Sequence, residues 1–170
     1  MHPIQEYLQE NLSKYLDLLH QMVSINSFTA NAQGVNRLAE LTAKAFAPLG
    51  FEAEFVQSAN LDFGRHLFLT RPSPLKEEGP AALNSNPALA LISHLDTVFS
   101  PEEEIQNDFN WRPEGDRIYG PGIVDIKGGT VMIYLILDAL RTFAPQAYDS
   151  VAWLIGSCAI RTKWLAWAMC

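Results

Sequence analysis

The chain has 170 residues, 48% of them hydrophobic and 18% charged, which is enough to bury one ordinary core and too apolar for a disordered or fibrous protein. A formal net charge of -7 leaves no basic stripe for nucleic acid and suits a protein that holds cations. Its two cysteines, Cys158 and Cys170, are too few for a disulfide framework or a thiolate zinc site, so any zinc would rest on histidine and carboxylates. Met1 to Glu10 carries Glu6 and Glu10 instead of a basic start and an apolar run, and no stretch reaches the roughly twenty apolar residues of a membrane span. The expectation is a cytoplasmic protein with no membrane partner.

From Ile4 to Val23 the residues Ile4, Leu8, Leu12, Tyr15, Leu16, Leu19 and Val23 recur at three- and four-residue steps, the stripe of one amphipathic helix. After Ser24-Ile25-Asn26-Ser27 a second helix runs from Gly34 to Leu49 through Val35, Leu38, Leu41, Ala45 and Phe46, stopped by Pro48 and Gly50. Phe51 to Val56 alternates apolar and charged residues as a half-buried strand does, and Arg65 to Arg71 is its expected neighbour. Pro72 to Pro87 collects Pro, Ser, Asn and Gly and reads as a surface loop. Ala88 to Ser93 is nearly all apolar, which predicts a central strand buried on both faces, with His94 and Asp96 just past its carboxyl end, where open α/β sheets build their sites. The acidic run Glu102-Glu103-Glu104 reads as a solvated turn after Pro101. Thr130 to Phe143 forms a third helix and Ser150 to Gly156 a further strand. Together these elements predict an α/β fold, a layered sheet with helices on its faces.

Two short stretches carry the chemistry. In Ser93-His94-Leu95-Asp96-Thr97-Val98, a His and an Asp two apart on an extended segment point to one side, so that one can bind a metal while the other supports it. Alone, this triplet also fits a polar turn that caps the next element. In Gly120-Pro121-Gly122-Ile123-Val124-Asp125-Ile126-Lys127-Gly128-Gly129, the glycines allow close backbone approach and positive φ, a loop suited to aiming Asp125 inward. The spacing matches neither the dinucleotide fingerprint nor a P-loop. Lys127 reads as a surface or helix-start lysine, Trp111 as core or cleft wall, and His2, His20 and His66 as ordinary histidines without a partner motif.

The two motifs together, the second extended back to Glu114, resemble the dinuclear zinc metallopeptidases related to acetylornithine deacetylase, succinyl-diaminopimelate desuccinylase and aminoacylase. The Tyr119-Gly120-Pro121-Gly122 form is most similar to glutamate carboxypeptidases of the carboxypeptidase G type. The resemblance covers the chain to about Ser157. It implies that His94 binds one zinc, that Asp125 bridges two zincs and precedes a cis peptide bond, and that Asp96 orients the histidine and counts among the catalytic residues. It implies two zinc ions per site, with cobalt or manganese also acceptable to such ligands. The expected substrates are N-acyl amino acids or small peptides with a free carboxylate, cleaved at an amide bond with a glutamate as general base.

The resemblance also implies a pair of adjacent glutamates after the strand Val151 to Ile155, where this chain reads Gly156-Ser157-Cys158 and has no carboxylate side chain after Asp149. Residues 1–157 are therefore expected to be the amino-terminal part of a catalytic domain, residues 158–170 an anomalous tail out of frame, and the dimerisation domain with its homodimer interface to be missing. Weak metal binding without turnover follows as an expectation. The rival expectation is a non-catalytic interaction module that presents Trp164 and Trp167 to a partner.

Overall fold

A computed structural model describes residues 2–71 and 89–157. The loop expected from Pro72 to Pro87 and the tail with Cys158, Trp164, Trp167 and Cys170 lie outside the described residues.

The amino-terminal stripe folds as two helices, α1 (Pro3–Glu10) and α2 (Leu12–Val23), where the periodicity predicted one. The break is at Asn11, whose backbone leaves helical geometry (φ -97°, ψ 4°) while its side-chain amide donates to the Tyr7 carbonyl at 2.8 Å. Short polar side chains compete with the helical ladder in this way. Helix α3 (Ala32–Phe46) starts where Asn31 caps the Gly34 amide, and a 3₁₀ turn over Ala47–Leu49 ends it at Gly50, which has φ 77°.

Strand β1 (Glu52–Val56) pairs antiparallel with β2 (His66–Thr70), Phe55 opposite Leu67. Strand β2 pairs antiparallel with β6 (Val151–Ser157), which pairs parallel with β3 (Leu89–His94), so the sheet order is β1-β2-β6-β3. The core lies between this sheet and one layer of helices. Tyr15, Leu19 and Met22 of α2, Val35, Leu38 and Phe46 of α3, and Val131, Tyr134 and Leu137 of α5 (Gly128–Phe143) close over Leu67 and Leu69. Each fully buried side chain of this kind contributes about 1.5–3 kcal/mol.

The prediction of a central β3 buried on both faces is corrected. Among the described strands β3 lies at the sheet edge, and Leu89 and Ile92 are 53% and 66% exposed. An apolar run reports what a strand can bury, whereas burial also needs a covering layer. Here the helices cover the side carrying Leu91 and Ser93, and Ser93 Oγ meets Thr130 Oγ1 of α5 at 2.6 Å.

The solvated turn expected at Glu102–Glu104 is also corrected, because helix α4 (Pro101–Gln106) forms there. Ser100 Oγ accepts from the Glu103 amide at 3.2 Å and Glu103 Oε2 from the Ser100 amide at 2.8 Å, a reciprocal capping box. Two further elements follow from local chemistry. Strands β4 (Arg112–Glu114) and β5 (Arg117–Tyr119) form a hairpin around Gly115 at φ 61°, and Pro145 opens the short helix α6 (Pro145–Asp149).

Candidate metal centre

His94 is the last residue of β3, Asp96 follows two residues later, and Asp125 lies in the wide turn Ile123–Lys127 that leads into α5. The structure brings all three together at the carboxyl end of β3, the location such sheets favour. His94 Nδ1 is 2.9 Å from the Asp96 carbonyl oxygen and 3.5 Å from Asp96 Oδ1, so two acceptors face it and it carries a proton. His94 Nε2 is 3.1 Å from Asp125 Oδ1. The hydrogen bond to Asp96 holds the His94 pKa above the usual imidazole value, against the opposing effect of burial. The His94 ring is held between the two carboxylates. With Nε2 unprotonated, the same pair is an imidazole nitrogen and a carboxylate oxygen aimed at one point, the donor types that zinc and related divalent metals take.

The two carboxylates differ in setting. The Asp96 side chain is 12% exposed and Oδ2 accepts from Thr29 Oγ1 at 2.7 Å, whereas the Asp125 side chain is 73% exposed. Asp96 is thus built into the scaffold as a support, and Asp125 is open to a ligand. The peptide bond between Asp125 and Ile126 is cis. Among the described residues no group of three or more His, Cys, Asp or Glu gathers as a metal cluster, so the fit to a metal rests on the pair His94 and Asp125.

The turn that carries Asp125 is tied down on several sides. Gly122 has φ 76°, and a Cβ built there would come within 2.7 Å of Thr97 Cγ2, so the turn lies directly on the segment after Asp96. The Lys127 amide donates to the Gly122 carbonyl at 2.8 Å, and Thr130 Oγ1 donates to the Ile126 carbonyl at 3.3 Å. The reading of Lys127 as a surface lysine is corrected: it starts α5 but is only 2% exposed, and its Nζ donates to the Ile25 carbonyl at 2.8 Å. Burial pushes its pKa down to about 8, with the charge of Glu104 working the other way. A long lysine stem beside two glycines fills the space under the turn, which the motif alone does not reveal.

Trp111 is partly buried against the core and stacks on His20 with ring centroids 4.8 Å apart. His2 caps α1 by accepting from the Ile4 amide at 3.4 Å. His66 opens β2 at the same end of the sheet as His94; burial lowers its pKa and the charge of Asp96 opposes this.

Residues 90–157 match the family model described as Peptidase family M20/M25/M40. The chain is 30% identical over 139 residues to carboxypeptidase G2 of Pseudomonas sp. (strain RS-16), an alignment covering 82% of this chain and 31% of the relative. It is 30% identical over 148 residues to succinyl-diaminopimelate desuccinylase of Thioalkalivibrio sulfidiphilus (strain HL-EbGR7), covering 86% of this chain and 35% of that protein. Among solved structures it superposes on human carnosine dipeptidase 1 with a TM-score of 0.66 at 17% identity, covering 96% of this chain and 35% of the other. It also superposes on an M20 family metallo-carboxypeptidase from Sulfolobus solfataricus with a TM-score of 0.61 at 16% identity, covering 85% and 30%. The chain thus spans about a third of the length of these relatives.

Proposed function

Since residues 90–157 belong to peptidase family M20/M25/M40, we propose that residues 1–157 form the amino-terminal part of a metal-dependent hydrolase domain whose metal-binding pair is His94 and Asp125, with Asp96 orienting the histidine. The observation that carries this is the convergence of His94 Nε2 and Asp125 Oδ1 to 3.1 Å while Nδ1 is fixed by Asp96. Zinc is the metal this donor set suits best, and cobalt and manganese fit the same atoms. A bound divalent metal would supply a Lewis acid for an amide carbonyl. The chain's own residues do the rest of what can be assigned. Asp96 keeps the Nδ1 proton in place so that Nε2 is free to ligate, and Asp125 presents an exposed carboxylate from a turn anchored by Lys127.

The reaction proposed for the site is cleavage of an amide bond in a small substrate, an N-acyl amino acid or a short peptide with a free carboxylate. The names of the relatives, carboxypeptidase and desuccinylase, support that class. With two protein donors among the described residues, a metal keeps most of its coordination sphere as water, so its affinity for this chain is weak. Turnover needs further ligands and a general base in addition to this pair. Zinc titration by calorimetry tests the proposal: the 170-residue chain should bind zinc, and His94→Ala and Asp125→Asn should each weaken binding at least about tenfold. Equal binding by the wild type and His94→Ala would remove the basis for the metal site.

A further inference from the structure

The loop between α2 and α3 touches both segments that carry the candidate ligands. Phe28 bridges to Thr97 in parallel; the Thr29 amide donates to the Thr97 carbonyl at 3.0 Å, and the Thr97 amide donates to the Ser27 carbonyl at 2.8 Å. Asn26 Nδ2 donates to the Phe99 carbonyl at 3.1 Å, and Lys127 reaches back from the Asp125 turn to the Ile25 carbonyl. This short connection is stitched along its length to the segment after β3.

Within the loop, the Thr29 hydroxyl performs a task that backbone pairing cannot. It donates to Asp96 Oδ2 at 2.7 Å, the short distance of a charge-assisted bond, with the Thr97 carbonyl at 3.3 Å as a weaker alternative acceptor. With Oδ2 engaged, Oδ1 is left facing His94 Nδ1 at 3.5 Å. A carboxylate can rotate about its last bond, and a fixed donor on one oxygen selects which face meets the imidazole. Thr29, Asp96, His94 and Asp125 therefore form a chain of polar contacts that runs from a loop far back in sequence to an exposed carboxylate.

We propose that Thr29 is a positioning residue of the metal pair, setting the Asp96 carboxylate that in turn sets His94. This rests on the reading of His94 and Asp125 as metal ligands. Removing the outer partner of a ligating histidine costs about 10–100-fold in metal affinity, and Thr29, acting one contact further out, should cost about three- to tenfold.

The test titrates Co²⁺ alone into the full 170-residue chain, followed by visible absorption, for the wild type, Thr29→Val, Thr29→Ser, Asp96→Asn and the Thr29→Val/Asp96→Asn double variant. Thr29→Val should weaken Co²⁺ binding by that factor, Thr29→Ser should stay within about twofold of the wild type because the hydroxyl is kept, and Thr29→Val should add nothing once Asp96 is Asn. That loss of effect in the Asp96→Asn background is the signature a merely structural threonine would not give. Unchanged affinity in Thr29→Val, or penalties that multiply independently in the double variant, would overturn the proposal. Should Thr29→Val fail to fold, Thr29→Cys, with its weaker donor, carries the same comparison; affinity equal to the wild type would count against Thr29 and an intermediate value for it. His94→Ala separates the two claims. If His94→Ala binds Co²⁺ as well as the wild type, the metal pair itself is overturned and Thr29's role with it. If His94→Ala loses Co²⁺ while Thr29→Val does not, the pair stands and only the positioning role fails.

Discussion

Replacing Asp138 by leucine should destabilise the chain by about 2–4 kcal/mol, because this carboxylate joins α2 to α5 from inside the core. Asp138 is 0% exposed; its Oδ2 accepts from Lys14 Nζ at 2.9 Å and Tyr15 OH at 3.1 Å, and its Oδ1 from Arg141 Nη2 at 2.9 Å. The Lys14 and Arg141 side chains are 48% and 44% exposed, so on losing Asp138 they turn to water, and each is discounted to at most about 1 kcal/mol. The larger loss is the hydroxyl of Tyr15, a residue 2% exposed, which is left without its acceptor at a cost of about 1–3 kcal/mol. For a chain of this size the sum lowers Tm by about 5–15 °C. Adding Tyr15→Phe to Asp138→Leu should return the tyrosine part, since both partners are then apolar. The pH dependence has a definite sign. Burial works against ionisation of Asp138, but the Lys14 and Tyr15 hydrogen bonds and the Arg141 charge outweigh it and hold the pKa below the usual carboxylate value. A folded-state pKa below the unfolded one gives stability that is present above the usual value near 4 and lost as pH falls through the lowered pKa. Urea unfolding at pH 7 and pH 3 should show the gap between the wild type and Asp138→Leu narrowing at acid pH. A gap under about 0.5 kcal/mol at pH 7, or one that does not narrow, would refute this assignment of the network.

Gly122→Ala should cost about 1–3 kcal/mol and weaken Co²⁺ binding, because alanine must adopt φ 76° with its Cβ 2.7 Å from Thr97 Cγ2; thermal melting and metal titration check it, and a neutral outcome would mean the turn does not rest on Thr97. Ser100→Ala removes the reciprocal cap of α4 at about 1 kcal/mol, read as faster hydrogen exchange at the amides of Glu103 and Glu104 with the rest of the chain unchanged.

Helix α3, strands β1, β2 and β6 and most of α5 were legible because local periodicity marks them, as in the alternation of Phe51 to Val56 and the apolar positions Val131, Tyr134 and Leu137, which are buried in the core, although within β1 only Phe55 is partly buried. The break at Asn11 was not, since it depends on one side-chain bond to Tyr7 that leaves the apolar stripe intact. Helix α4 is encoded in Ser100-Pro101-Glu102-Glu103, which carries the capping signature, whereas the acidic run taken alone fits a solvated turn equally well. The exposed face of β3 was illegible in principle, because its sequence records apolarity and cannot record what covers it. At the site, His94, Asp96 and Asp125 were named from their motifs and the structure brings them together. Thr29 and Lys127 were missed as parts of that arrangement because their partners, Asp96 and the Ile25 carbonyl, are 67 and 102 residues away in sequence.

X-ray absorption at the zinc edge of the zinc-loaded chain tests the metal pair most directly. The wild type should show nitrogen and oxygen neighbours at about 2.0–2.2 Å with the outer-shell scattering of one imidazole, and His94→Ala should lose the imidazole signal, even though His2, His20 and His66 remain in the chain. An imidazole signal that persists unchanged in His94→Ala would place the metal elsewhere and contradict the assignment of His94 and Asp125.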